Sequence, residues 1–182
     1  MNLKGKNAIV TGGGRGLGKA VAIALAKEGV NIGLTGRNEE HLKNTAEELK
    51  TLGVMAAYYV FSIDNEKAVQ SGIAKLAEEL GGIDILINNA GIGDFGAIAE
   101  MPSETWEQVI KTNLFGVYYA AKAVHPFLKE RGMGDIVNVA STAGLKGGPN
   151  MSAYAASKAA VVSLSQSMMA EWRKENIRVI TL

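Results

Sequence analysis

Short apolar runs alternate with longer amphipathic stretches along almost the whole chain. The run NAIVT at 7–11 reads as a buried strand, and GKAVAIALAKEG at 18–29 as the helix after it, ended by Gly29. NIGLTG at 31–36 is a second strand. EEHLKNTAEELKTLG at 39–53 is a second helix, bounded by its acidic start and closing Gly53, with its charges on a solvated face. VMAAYYVF at 54–61 and EKAVQSGIAKLAEELGG at 66–82 repeat the strand–helix pattern. IDILIN at 83–88 has no polar side chain from Ile85 to Ile87, as expected where both faces of a strand are covered. A helix from about Ser103 to Arg131 follows, which Pro126 is expected to kink or end early. DIVNVAS at 135–141, a long helix over 152–175 and IRVITL at 177–182 complete the series.

This alternation implies an α/β fold with a doubly wound parallel sheet of six strands and helices on both faces. Right-handed crossovers then place ligands at the carboxyl ends of the strands. There is no internal repeat beyond the alternation, no low-complexity segment and no linker, so residues 1–182 read as one domain.

Composition narrows the function classes. Hydrophobic residues are 47% and charged residues 20%, a globular balance that argues against disorder. Net charge is +1 and no lysine- or arginine-rich run occurs, so no nucleic-acid partner is expected. No apolar run approaches ~18 residues, so no membrane span is expected, and the start MNLKGKNAIVTGGG has no signal-peptide core. With no cysteine, disulfides, thiol nucleophiles and thiolate metal sites are all excluded. The two histidines, His41 and His125, lie far apart without a ligand partner at useful spacing, and both read as surface residues. No metal site is expected, and a soluble cytoplasmic protein fits best.

The first strand–helix junction reads TGGGRGLG, Thr11 to Gly18. Gly12 suits the tight turn, Gly16 lets backbone approach a pyrophosphate, and Gly18 lets the helix pack closely on the strand. The helix N-terminus would present free N–H groups to phosphates, which makes Gly12, Gly14, Arg15, Gly16, Leu17 and Gly18 candidate dinucleotide-binding residues. At the end of the second strand an acid would select NAD by bonding the ribose 2′-OH, whereas an arginine suits a 2′-phosphate. LTGRN has Arg37 there and no carboxylate until Glu39, and Arg15 lies in the glycine loop. Two cations and no acid at that corner favour NADP(H).

The stretch SAYAASKAAV, 152–161, sets Tyr154 and Lys158 one helical turn apart on one face. A phenol titrates near ~10 and a lysine near ~10.4, so alone neither does proton chemistry easily at neutral pH. A nearby cation favours the phenolate. The pair is therefore either a tuned acid or two polar residues on a wet helix face.

Taken with NNAG at 88–91, Asn113 in KTNLFG and Ser141 in VNVAS, these motifs run through the chain in one order, with twelve residues between Ser141 and Tyr154. In this the sequence resembles the classical short-chain dehydrogenase/reductase family. The resemblance implies a catalytic tetrad. Tyr154 would protonate the substrate carbonyl oxygen as hydride arrives from the nicotinamide. Lys158 would bond the nicotinamide ribose and lower the phenol's pKa, Ser141 would hold the substrate oxygen, and Asn113 would anchor a water relay to Lys158 from a break in its helix. A shift of ~3 units needs about 4 kcal/mol, which one close ammonium at an effective dielectric of ~20 can supply. The resemblance also places Asn89, Ala90 and Gly91 on the adenosine side and Ser62 and Ile63 at the adenine. Ser62 departs from the family's usual Asp or Asn, and as a shorter acceptor it would weaken adenine contact.

The length of the segments and GGIDILINNAG look most like bacterial 3-oxoacyl-acyl-carrier-protein reductases. The expectation is an NADPH-dependent carbonyl reductase whose substrate is a small molecule or is carried on acyl-carrier protein. A reductase of a sugar, steroid or xenobiotic ketone is the alternative, with a non-catalytic NADP-binding regulator as a rival from another class. A decayed fragment that binds nothing is the third. Family members pair through helices corresponding to 103–131 and 152–175, implying a homodimer or homotetramer. Apolar residues in AAVVSLSQSMMAEW, including Met168, Met169 and Trp172, exceed what one core face requires. Relatives continue past the sixth strand with a substrate-covering loop and a seventh strand, so the domain is expected to be incomplete at its C-terminus.

Overall fold

The computed structural model describes residues 3–182. At its centre is a parallel sheet of β1 (Asn7–Thr11), β2 (Asn31–Gly36), β3 (Ala56–Val60), β4 (Ile85–Asn88), β5 (Gly134–Asn138) and β6 (Ile177–Thr181). Its strand order is β3-β2-β1-β4-β5-β6, the doubly wound arrangement the alternation predicts.

The period-two alternation of the strands sorts the core into two layers. Ala8, Val10, Ile32, Leu34, Ile85 and Ile87 pack towards α1 (Gly16–Lys27) and α2 (Glu39–Thr51). Ile9, Leu86 and Ile136 face the other way, onto α3 (Glu66–Leu80), α5 (Gly116–Glu130) and α6 (Ser152–Trp172). The carboxyl ends of β1, β2, β3 and β4 therefore open on one edge, between the two layers.

Helix ends follow side-chain chemistry. Asn38 caps α2 by accepting from His41 N at 2.8 Å, and Asn65 caps α3 by accepting from Ala68 N at 3.1 Å. Gly81 stops α3 in a left-handed conformation, φ +75°.

The stretch read as one helix from 103 to 131 is instead divided. α4 (Ser103–Ile110) passes into a wide π turn over Lys111–Phe115 and then into α5. The interruption falls at Asn113, where the family resemblance implies a break, and not at Pro126, which lies inside α5 without ending it. Pro126 and Lys122 are both on the exposed side, where water can serve the carbonyl the proline leaves unpaired. The long final helix ends at Trp172, with Arg173–Glu175 forming a tighter 3-10 turn.

His125 is not the free surface residue its sequence setting implies. It lies 4.7 Å from the Trp172 ring, with Nε2 at 2.6 Å from Glu175 Oε2. Lys129 holds the other Glu175 oxygen at 2.7 Å, and Lys129 first, then His125, keeps that carboxyl below its ordinary range. Met168 is buried and Trp172 packs against the core, leaving Met169 as the solvent-facing one of the three named apolar residues. No helix among the described residues is long and apolar enough to cross a membrane.

Candidate functional site

The glycine junction opens one end of a 540 Å³ cleft at the carboxyl edge of the sheet. Gly12 turns the chain at φ +66° and Gly16 at φ +55°, where a Cβ would otherwise be strained. A side chain at Gly18 would collide with the Gly12 carbonyl oxygen and come within 2.5 Å of Asn89 Nδ2. Unlike α2 and α3, α1 has no side-chain cap and no acid in its first turn. Its first N–H groups stay available to an anion. The loop is braced from behind by α2, where buried Thr45 donates to the Gly14 carbonyl at 3.1 Å. A Cβ at Gly14 would sit 3.0 Å from His41 Cβ, a tight contact.

Gly12, Gly14, Arg15, Gly16, Leu17, Gly18, Arg37, Ser62, Ile63, Asn89, Ala90 and Gly91 all line this one cleft. The Asn89 amide is turned inward, donating to the Thr11 carbonyl at 3.0 Å. Thr11 Oγ1 accepts from the N–H groups of Asn89 and Ala90, both at 3.0 Å, so this segment is fastened to the end of β1.

The corner of the two arginines holds groups the sequence did not reveal. His41, read as a surface histidine, lines the cleft beside Arg15, Arg37 and Asn38. The corner also has an acid. Asp64 accepts from Gln108 Nε2 at 2.8 Å and lies close enough to Arg37 to feel its charge. Its carboxyl is held below the usual range by the Ser62 hydroxyl first, then by Gln108, with Arg37 adding a smaller share. The reading of two cations and no acid is corrected accordingly. Gly36 and Val60 are register partners, so the segments after β2 and β3 are neighbours in space although far apart in sequence.

Tyr154 and Lys158 lie beyond the cleft's lining, and the connection to it runs through Asn113. Inside the π turn the Asn113 side chain is fully buried. Its Oδ1 accepts from Ile92 N at 2.8 Å, and Nδ2 donates to Ile92 O at 2.9 Å and to Ser157 Oγ at 3.1 Å. A side chain at Gly91 would come within 3.2 Å of Asn113 Oδ1. Ser157, buried and passed over in the sequence, donates in turn to the Tyr154 carbonyl at 2.7 Å. A polar residue three positions after Tyr154 on a buried helix face was the available signal.

Lys158 is 5% exposed, with Nζ donating to the Val139 carbonyl at 2.6 Å and lying 5.7 Å from the Tyr154 ring centre. Burial pushes its ammonium below the ordinary lysine range. Phe95 meets the Tyr154 ring at 5.9 Å, and its loop is tied by Gly96 N to the Asn150 carbonyl at 2.9 Å. Ser141 sits where β5 gives way to a 3-10 turn over Thr142–Gly144, its Oγ accepting from Ala143 N at 3.1 Å. The arrangement offers an uncapped helix end for phosphate, a cationic corner, and a phenol beside a desolvated ammonium. That is equipment for holding an anionic nucleotide and moving a proton.

Comparison with known proteins agrees with this geometry. The sequence pattern of the family described as short chain dehydrogenase matches residues 6–182. Gluconate 5-dehydrogenase of Gluconobacter oxydans is 34% identical over 98% of this chain and 70% of its own length. A 3-oxoacyl-acyl-carrier-protein reductase of Chlamydia muridarum is 38% identical over 97% of the chain and 72% of its own length. The crystal structure of an NAD+-bound xylitol dehydrogenase superposes with a TM-score of 0.96 at 37% identity, covering 100% of this chain and 70% of that one.

Proposed function

The chain belongs to the short-chain dehydrogenase family, and from that footing we propose that it is an NADPH-dependent reductase of a 3-oxoacyl thioester carried on acyl-carrier protein. The observation that carries the cofactor reading is the placement of Arg15 and Arg37 at one corner of the cleft. The residues fit a dinucleotide phosphate. The space where a Gly16 Cβ would stand is open for 4 Å, and α1 keeps its first N–H groups uncapped beside it. Gly12, Gly14, Leu17 and Gly18 would shape the pyrophosphate site, Ser62 and Ile63 the adenine site, and Asn89, Ala90 and Gly91 the adenosine wall. When bound, the nicotinamide supplies the hydride.

Tyr154 would give its phenolic proton to the substrate carbonyl oxygen as that oxygen gains negative charge. Lys158 would favour the phenolate that remains, its charge little screened because it is desolvated. Ser141 would hold the same substrate oxygen through its hydroxyl. The Asn113 amide is already committed to Ile92 and Ser157, so a proton relay towards Lys158 would start from a backbone carbonyl of the π turn. Phe95 lays an apolar ring beside Tyr154, which suits an acyl chain better than a polyol. Exposed aromatic residues on the π turn and α5, Phe115 and Tyr118, with Met169 of α6, would pair two copies into a homodimer or homotetramer. The setting would be cytoplasmic.

A polyol oxidoreductase using NAD is the second reading, favoured by the close superposition on xylitol dehydrogenase. Steady-state assays separate the two. We expect faster turnover of a 3-oxoacyl thioester with NADPH than of xylitol or gluconate with NAD+. The reverse order overturns the proposal.

A further inference from the structure

We propose that His41 is a third contact for the 2′-phosphate of NADPH, beside Arg15 and Arg37, and that it contributes to the preference for NADPH over NADH. The inference rests on the NADPH reading above and goes beyond it by assigning a residue that the two arginines leave unexplained.

The placement is geometric. His41 is the third residue of α2, and its N–H is fixed by the Asn38 side chain at 2.8 Å. Its Cβ lies against Gly14, where an added Cβ would stand 3.0 Å away. The side chain is exposed and lines the cleft between the glycine loop, which carries Arg15, and the β2–α2 turn, which carries Arg37. Among the described residues its imidazole has no hydrogen bond or ion pair, whereas the His125 ring is taken up by Glu175 and Trp172. One histidine is occupied and the other is available to a ligand.

The charged groups on the surrounding elements are Arg15 in the loop and Lys19 on α1, which is bound to Glu48 at 2.7 Å. Arg37 follows β2, Asp64 follows β3, and Glu39 and Glu40 lie on the first turn of α2 itself. The arginines stay charged throughout the accessible pH range, so their attraction for a phosphate is constant. An imidazole carries at least one ring N–H in either protonation state, and that N–H donates to a phosphate oxygen. NADH, lacking the 2′-phosphate, should be insensitive to this group.

The test measures dissociation constants for NADPH and NADH by cofactor fluorescence at one pH. The proteins are the parent, His41→Ala and His41→Lys. The NADPH-to-NADH selectivity should fall about threefold in His41→Ala, the size of an exposed charged contact, and His41→Lys should keep it at or above the parent's. Equal selectivity of the parent and His41→Ala overturns the assignment while leaving the NADPH proposal intact. A parent that binds NADH as tightly as NADPH overturns both.

Discussion

At its glycine end the cleft is drawn mostly in backbone: Gly12 and Gly16 at positive φ, the uncapped start of α1, and the Thr11 and Gly14 groups that fasten the loop. At its far end the same edge of the sheet is drawn in side chains. The Asn113 amide, the Ser157 hydroxyl and the Lys158 ammonium are all buried and all hydrogen-bonded. On the proposed reading the first region would recognise a shape and a charge, so its individual side chains should each matter moderately. The second would hold a proton donor in place through a short polar chain, so single atoms there should matter a great deal.

The sharpest way to break that contrast is Tyr154→Phe, which removes one oxygen and keeps the ring against Phe95. With the phenol as general acid, turnover should fall by about 10²–10⁴ while NADPH affinity stays near the parent's. Stopped-flow or steady-state rates with a 3-oxoacyl thioester, beside a fluorescence titration of cofactor, supply both numbers. Retention of a tenth of the parent rate would remove Tyr154 from the acid's role.

Ser157→Ala probes whether the far end is a connected chain. The substitution leaves one N–H of the buried Asn113 amide without a partner and removes the hydroxyl bond to the Tyr154 carbonyl. The expected cost is about 1–3 kcal/mol in unfolding free energy. Urea unfolding measures it, and a loss below about 0.5 kcal/mol, the scatter of neutral surface changes, would mean that water repairs the gap. Asn113→Ala should lose a similar amount, and the double variant less than the sum, because the two groups share one bond.

What could be read from the sequence divides along the same line. The strands and the doubly wound order follow from local composition and short spacings, and the structure bears them out; the glycine turn lies where the spacing sets it, between β1 and α1. Gly12, Gly16 and Gly18 were identifiable because a glycine's reason is local. The break at Asn113 came only through the family resemblance, since an i→i+5 step leaves no periodicity of its own in KTNLF. Ser157 was hidden because its value lies in Asn113, forty-four residues away. His41 and Asp64 were hidden for a topological reason: adjacency of the glycine loop, β2 and β3 brings them to the arginine corner. His125 likewise gains its partner only when the end of α6 returns to α5.

The smallest expected effect belongs to the backbone-drawn end, and Arg37→Ala measures it. Arg37 is exposed, and Asp64 lies near enough to feel its charge. Both facts place its contribution at the weak end of charge-assisted contacts. NADPH affinity should fall about tenfold, equivalent to ~1.4 kcal/mol, with NADH affinity unchanged. Removing the competing acid should act in the opposite sense. Asp64→Asn leaves a side chain of the same shape and removes a negative charge from the neighbourhood of Arg37, so NADPH should bind more tightly in that variant and NADH should not. In the double variant that gain should shrink, because only the direct repulsion between the carboxylate and the phosphate is then relieved. If Asp64→Asn weakens both nucleotides equally, the carboxylate serves the Ser62 side of the cleft instead, and the corner discriminates by Arg15 alone.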